Sequence, residues 1–329
     1  MTILLALIRA VHFGSCLIIQ SAFILLLLVA IPAWNQAGGD APLAGEHFYR
    51  LLRRLLVICL LAAFASGFLW LWFAIVTMSG SSFTESLQPG LFWMVLTQTQ
   101  PGNVWLVRAG IGLVFAIALL FVSGTRRGLK AASWPSSLCA LSAPLLTASL
   151  AWLGHAGASE GPNQNLHLAS DLLHLSAAGI WPASLVPFTI FLRLFLKPRD
   201  PALLVAACAA TRRFSAISLF TVGLLALSGM VNSYFLVGTF HLLVSTDYGR
   251  ILILKLALFS ATIAIAAWNL LKLKPQLPVA GGSPDAAQAA ALAKIARNIL
   301  LEIGIVTLIL LVTGLLGTTP PATHACECS

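Results

Sequence analysis

Charge is what this chain has least of. Only 9% of its 329 residues are Asp, Glu, Lys or Arg, while 59% are hydrophobic. Soluble domains carry about 25% charged residues, so a water-exposed globule of this length is excluded. No polar stretch is long enough to build a second, soluble domain. Walker, Rossmann and nucleophile-elbow motifs are absent, so nothing points to ATP-driven transport or to an enzyme. A Cys-x-x-Cys-His haem attachment is absent too. Methionine is scarce, with four residues including the initiator. A soft-metal site would therefore have to use His and Cys. The net charge of +9 carries no message about nucleic acid; what matters is where the basic residues sit.

Long apolar runs are what remains. They recur along the whole chain, each about 20 residues and so able to cross about 30 Å of hydrocarbon. Eight spans are expected, at 3–32, 53–78, 104–123, 134–154, 168–195, 214–238, 250–271 and 295–317. This is an all-α, polytopic bundle of eight transmembrane helices in a lipid bilayer, one integral membrane domain over 1–329 with a short tail at 318–329. The first run is too long for a signal peptide, lacks a small-residue cleavage site and carries His12, so it reads as a retained span. No period of 20–50 residues is visible, which excludes a repeat array.

The basic residues set the orientation. Arg50, Arg53 and Arg54 flank the 1–2 connection, and Arg126, Arg127 and Lys130 the 3–4 connection. Arg193, Lys197, Arg199, Arg212 and Arg213 flank the 5–6 connection, and Lys272, Lys274, Lys294 and Arg297 the 7–8 connection. These four connections are expected in the cytoplasm. Both termini, and the 2–3, 4–5 and 6–7 connections, are then periplasmic. Pro182 and Pro187 are expected to bend span 5, because proline removes an internal hydrogen bond.

Against this apolar background, span 5 carries His167, Asp171 and His174 at i, i+4 and i+7, on one helical face. An ionisable residue inside a span is costly and marks a functional site by default. Imidazole and carboxylate together are a common ligand set for transition metals. His167 and His174 stand about 10 Å apart along a straight helix, too far to share one ion. Stacked stations are the natural reading: an upper one near His155 and His167, a lower one near His174 and His12, with Asp171 between. Plainer readings stand beside this one. His155 or His167 is an interfacial histidine, Asp171 pairs with Arg9 or Arg108, or the stripe is polar glue between helices.

The tail reads THACECS. An extended strand puts His324, Cys326 and Cys328 on one side, and thiolates favour Cu(I) or Zn. A disulfide or a disordered end are the alternatives. Cys16, Cys59, Cys139 and Cys208 lie in or beside spans and read as apolar packing. His241, in the 6–7 connection, and Glu302, inside the last span, are weaker candidates, with Asn298 beside the latter. Asn232 and Asn269 read as helix–helix hydrogen bonds. Lys255 and Arg250 either snorkel or line the bundle.

Several segments resemble the CopD copper-resistance family of bacterial inner-membrane proteins. They are GHAGA at 154–158, HLSAAGIWPASLVP at 174–187, RRFSAISLFTVGLLALSGMVNSYFLVGTF at 212–240, and DYGRILILKLALFSATIAIAAWNLLKLKP at 247–275. WLVRAGIGL at 105–113 adds to them. The likeness is clear from about 145 to 275, the core being taken as about 145–317, and weak elsewhere. It departs at WPAS, where the family has a Gly-rich turn, and in the HACECS tail. The resemblance implies copper movement across the bacterial inner membrane, as uptake into the cytoplasm, with a periplasmic copper-binding protein of CopC type as partner. The site read from the residues is then an outward-facing copper site of His155, His167, Asp171, His174 and His12, with the tail as capture or lid. Two alternatives remain. One is a redox protein holding haem b axially between His12 and His174. The other is an assembly factor that passes copper on without conducting it.

Overall fold

The computed structural model describes residues 1–36, 42–122, 134–159, 161–196, 201–277 and 286–323. Among them no strand occurs, and eight helices are long and apolar enough to cross a membrane. They are α1 (Thr2–Gln36), α2 (Ala44–Ser79), α3 (Gln100–Phe121), α4 (Trp134–Leu153), α5 (Gln164–Phe195), α6 (Ala202–Val237), α7 (Asp247–Gln276) and α8 (Ala286–Leu316). All eight expected spans are present. Helices α2, α6 and α8 start several residues before their apolar cores. In α6 the early start follows from Pro201, which suits a first helical position, and in both α6 and α8 from Ala-rich sequence of high helix propensity.

Helix α1 is the most buried of the eight. It packs against α2, α4, α5 and α8, and its C-terminal part against α6. Gly314 of α8 faces Ala6 so closely that a Cβ there would strike the Ala6 carbonyl oxygen. A small residue thus lets two backbones touch, a common device between membrane helices. The start of α1 and the end of α8 meet on one side of the bundle, where Arg9 lies beside Gly317. Helix α5 breaks after Ile180, and a new helical segment begins at Leu185. Pro182 sits in the break. Pro187 falls in the first turn of the new segment, where its missing N–H costs nothing.

One local structure occurs twice. Short helices Pro89–Gln98 and Phe240–Ser245 precede α3 and α7. Thr99 Oγ1 then accepts from Gly102 N at 3.1 Å, and Thr246 Oγ1 from Gly249 N at 3.1 Å, capping each helix. At both glycines a Cβ would collide with carbonyl oxygens of the preceding short helix. In the connection between α2 and α3, Glu85 accepts from the Ser82 backbone N–H at 2.9 Å and its hydroxyl at 2.7 Å. Those two donors hold its carboxyl below the ordinary range.

Candidate functional site

Helix α5 directs its polar stripe at α6 and at the turn before it. His167 is buried and stacks on Phe235 at 4.7 Å. Its Nδ1 lies 2.7 Å from Ser159 Oγ. That hydroxyl donates its one proton to the His155 carbonyl at 3.0 Å, so it accepts from Nδ1–H. One level deeper, Ser228 Oγ donates to the Leu224 carbonyl at 2.6 Å and accepts from His174 Nδ1–H at 3.1 Å. Both rings are thereby fixed in the tautomer whose Nε2 carries a lone pair, the form that binds a metal.

Between the two histidines, Asp171 Oδ1 accepts from Asn232 Nδ2 of α6 at 3.1 Å. Lys255 of α7 stands within electrostatic reach of Asp171 and His174 but closes no ion pair with Asp171. His155 is an electrostatic neighbour of His167, with its Nε2 3.5 Å from the Leu316 carbonyl and its ring edge-on to Tyr248. His155 and His167 therefore share one level, and Asp171 and His174 continue down the same helix face. Among the described residues, no three His, Cys, Asp or Glu side chains are already grouped to share an ion.

His12 belongs to a different set. It is 3% exposed, wedged edge-on between Trp70 and Trp105 at 5.6 and 5.3 Å. Its Nδ1 donates to the Ala63 carbonyl at 3.1 Å and lies 3.1 Å from Ser66 Oγ. Its Nε2 accepts from Arg108 at 2.6 Å. A Cβ on Gly67 would come within 3.1 Å of the ring. At His12 the Nε2 that axial haem ligation between His12 and His174 would use accepts from Arg108, and two tryptophans flank the ring. Arg9 lies over Trp70 at 4.3 Å, and neither Arg9 nor Arg108 reaches Asp171. The reading in which Asp171 pairs with either arginine is thus not what forms.

The two histidine sets are counterparts. His12 and Ser66 are 54 residues apart, as are His174 and Ser228. Gly67 and Gly229 follow the serines, and each faces the histidine ring. Three residues before each histidine stand Arg9 and Asp171; four after each serine stand Trp70 and Asn232, which contact them. Nine residues beyond the Thr caps stand Arg108 and Lys255, each facing its histidine. Helices α1–α3 and α5–α7 therefore repeat one arrangement. In the first copy the carboxylate has become an arginine and the amide a tryptophan.

Glu302 of α8 is buried and accepts from Asn269 Nδ2 at 2.9 Å, while Asn298 donates to Asn269 Oδ1 at 2.7 Å. Asn232 and Asn269 are interhelical hydrogen bonds, as their sequence context suggests. His241 is exposed on the short helix before α7, away from the stripe. His324, Cys326 and Cys328 lie outside the described residues. Sequence reasoning missed Ser159, Ser228 and Lys255 as partners of the stripe. It also left Cys16 to apolar packing, although Cys16 stands one turn from His12.

Two family models match the chain. The one described as "Copper resistance protein D" covers residues 208–316, and "Copper resistance protein D-like, N-terminal domain" covers 1–165, where the sequence likeness had been weak. Copper resistance protein D of Pseudomonas syringae pv. tomato is 31% identical over 236 residues, 70% of this chain and 72% of that protein. Copper transport protein CutJ of Bacillus subtilis (strain 168) is 27% identical over 198 residues, 60% of this chain and 35% of that protein. Inner membrane protein YebZ of Escherichia coli (strain K12) is 30% identical over 204 residues, 61% of this chain and 64% of that protein. No solved structure matches.

Proposed function

The chain belongs to the copper resistance protein D family of multi-pass inner-membrane proteins, and on that footing we propose that it carries copper across the bacterial inner membrane. Copper arrives from the periplasm, handed over by a soluble copper-binding protein of CopC type. It is taken first at His155 and His167 and then at Asp171 and His174, and it moves towards the cytoplasm. No substrate is chemically converted; the protein is a carrier, not an enzyme. The tail residues His324, Cys326 and Cys328 add capture at the mouth.

One observation carries this reading. Along α5 two histidines present Nε2 lone pairs, and between them stands a carboxylate bonded to a neutral amide. A stripe that served only to glue helices would spend these groups on each other. Here the rings are held through Nδ1 by hydroxyls, and their coordinating atoms are left for a ligand. Asp171 and His174 are half-buried.

The test is copper content of the purified full chain in nanodiscs, with copper flux into proteoliposomes. Asp171→Asn and His174→Ala are expected to lose bound copper and flux while eluting as the intact protein. Wild-type stoichiometry and flux in both variants would remove the stripe from the mechanism.

A further inference from the structure

We propose that the bundle holds a further copper station beyond the stripe, made by Glu302 and Asn298 of α8 against Asn269 of α7, from which copper leaves for the cytoplasm. The proposal rests on the copper reading above and deepens it.

A repeated pairing supplies the first reason. The eight apolar spans contain two carboxyl groups, Asp171 and Glu302. In the expected orientation Asp171 lies in the outer half and Glu302 in the inner half. Each is held in the same way. Asn232 of α6 donates to Asp171 Oδ1 at 3.1 Å, and Asn269 of α7 donates to Glu302 Oε1 at 2.9 Å. Asn269 is fixed in turn by Asn298, whose Nδ2 donates to its Oδ1 at 2.7 Å. Asn298 and Glu302 are i and i+4 on one face of α8. Among the described residues, Glu302 Oε2 and Asn298 Oδ1 accept no hydrogen bond. Successive turns of one helix thus leave two oxygens for a cation.

Charge supplies the second reason. Glu302 is 2% exposed and forms no ion pair among the described residues. The inner ends of the helices packed on α8 carry Arg193, Arg212, Arg213, Lys272 and Lys274, and none interacts with its carboxyl. A buried carboxyl inside a span, held by amides alone, is costly to place and marks an ion path. The contrast with His12 is direct. There the guanidinium of Arg108 stands where a cation would sit. At Glu302 no side-chain cation does.

Helix α7 supplies the third reason, because it joins the two carboxyls. Lys255 faces Asp171 and His174, and Asn269 holds Glu302. Thr262 lies midway between them, seven residues from each, so all three share one helical face. Steps of seven residues are about 10 Å along the axis. Thr262 is 1% exposed and donates to the Leu258 carbonyl at 3.0 Å, which leaves its lone pairs for a passing cation. At Asn269 the helix widens into a π-helical turn, Asn269–Leu273, a local form that recurs at functional sites. The donors also change along this face. The stripe offers imidazole nitrogen, whereas the inner station offers oxygen alone, which holds copper less firmly. An ion path needs such a weaker last site if its cargo is to leave. Copper changes partners there and is neither oxidised nor reduced.

The experiment measures copper flux into proteoliposomes, together with copper-induced infrared difference spectra of the full chain in nanodiscs. Glu302→Gln keeps the carbonyl that accepts from Asn269, so a purely helix-joining role survives this change. It is expected to lose most of the flux while retaining the copper that Asp171→Asn removes. Glu302→Asp, which keeps the negative oxygen, is expected to restore part of the flux. The infrared carboxyl signal evoked by copper is expected to have two parts, one lost in Asp171→Asn and the other in Glu302→Gln. Wild-type flux and an unchanged carboxyl signal in Glu302→Gln overturn this inference and leave the stripe intact. Equal loss in the Gln and Asp variants also overturns it. Wild-type flux in Asp171→Asn and His174→Ala, with loss in Glu302→Gln, overturns the stripe and keeps the inner station. Absence of copper flux in the unaltered chain overturns both.

Discussion

Single hydroxyls set the chemistry of the stripe. Ser228 and Ser159 each give their proton to a carbonyl and keep a lone pair for an imidazole N–H. This choice decides which ring nitrogen can meet a metal. Ser228→Ala leaves the His174 ring without its Oγ acceptor, at a cost of about 1 kcal/mol, and groups that orient a metal-binding histidine typically matter about 10–100-fold in affinity. Copper affinity measured by chelator competition is expected to fall within that range in Ser228→Ala, with stoichiometry unchanged. A fall of less than twofold would mean that Ser228 does not orient a ligand. Lys255 acts in the opposite direction, as a fixed cation facing Asp171 and His174. Lys255→Met removes that competing charge, and tighter copper binding is expected, severalfold at low ionic strength. Weaker binding would show that the ammonium helps to hold the site together.

At the scale of helices, the two copies differ in how tightly they close on their histidine. A Cβ at Gly67 would lie 3.0 Å from Trp105 and 3.1 Å from His12, whereas at Gly229 it would lie 3.4 Å from His174. Inserting a methyl into a filled space costs about 1–3 kcal/mol. Gly67→Ala is therefore expected to lower thermal stability, followed by tryptophan fluorescence, clearly more than Gly229→Ala. Equal shifts would contradict the difference in packing. The same contrast explains what could be read from sequence. The eight spans were legible because an apolar run of sufficient length has few alternatives. The stripe was legible because ionisable residues at helical spacing stand out against leucine and alanine. The duplication was not, since the matching residues are one histidine, one Ser-Gly pair and one cation, scattered among unlike apolar side chains. Its signal was there in the equal separations of His12 from Ser66 and of His174 from Ser228. Cys16 was passed over because a buried thiol usually packs as a small hydrophobe; only the nearby Arg108 distinguishes it.

For the whole molecule, the basic residues predict a direction. Fifteen of the nineteen Lys and Arg flank the 1–2, 3–4, 5–6 and 7–8 connections, and those connections are therefore expected in the cytoplasm. An alkaline phosphatase fused after residue 323 is expected to be active, and one fused in the connection between α2 and α3 likewise, while a fusion between α7 and α8 is expected to be inactive. The reverse pattern would invert the bundle and, with it, the direction from which copper meets the stripe. The two halves face the same way, because each helix and its counterpart are four crossings apart in the chain, an even number. That is a parallel repeat about an axis along the membrane normal.

The central place of α1 has a consequence for how the chain is made. Helix α1 leaves the ribosome before the other seven helices of the bundle, and it is the one that ends up most enclosed. His12, Cys16, Gln20 and Arg9 must therefore enter the bilayer long before α5 and α8 exist to cover them. Until then α2 and α3 are the only shelter, and they bring Ser66, Trp70, Trp105 and Arg108. The first copy of the arrangement is thus assembled early in synthesis, with α4 adding the Leu146 and Ser149 anchors of Arg108, and the second is assembled against it. Arginine and tryptophan in the first copy, where the second has aspartate and asparagine, let the early copy stack a cation on a ring while it waits.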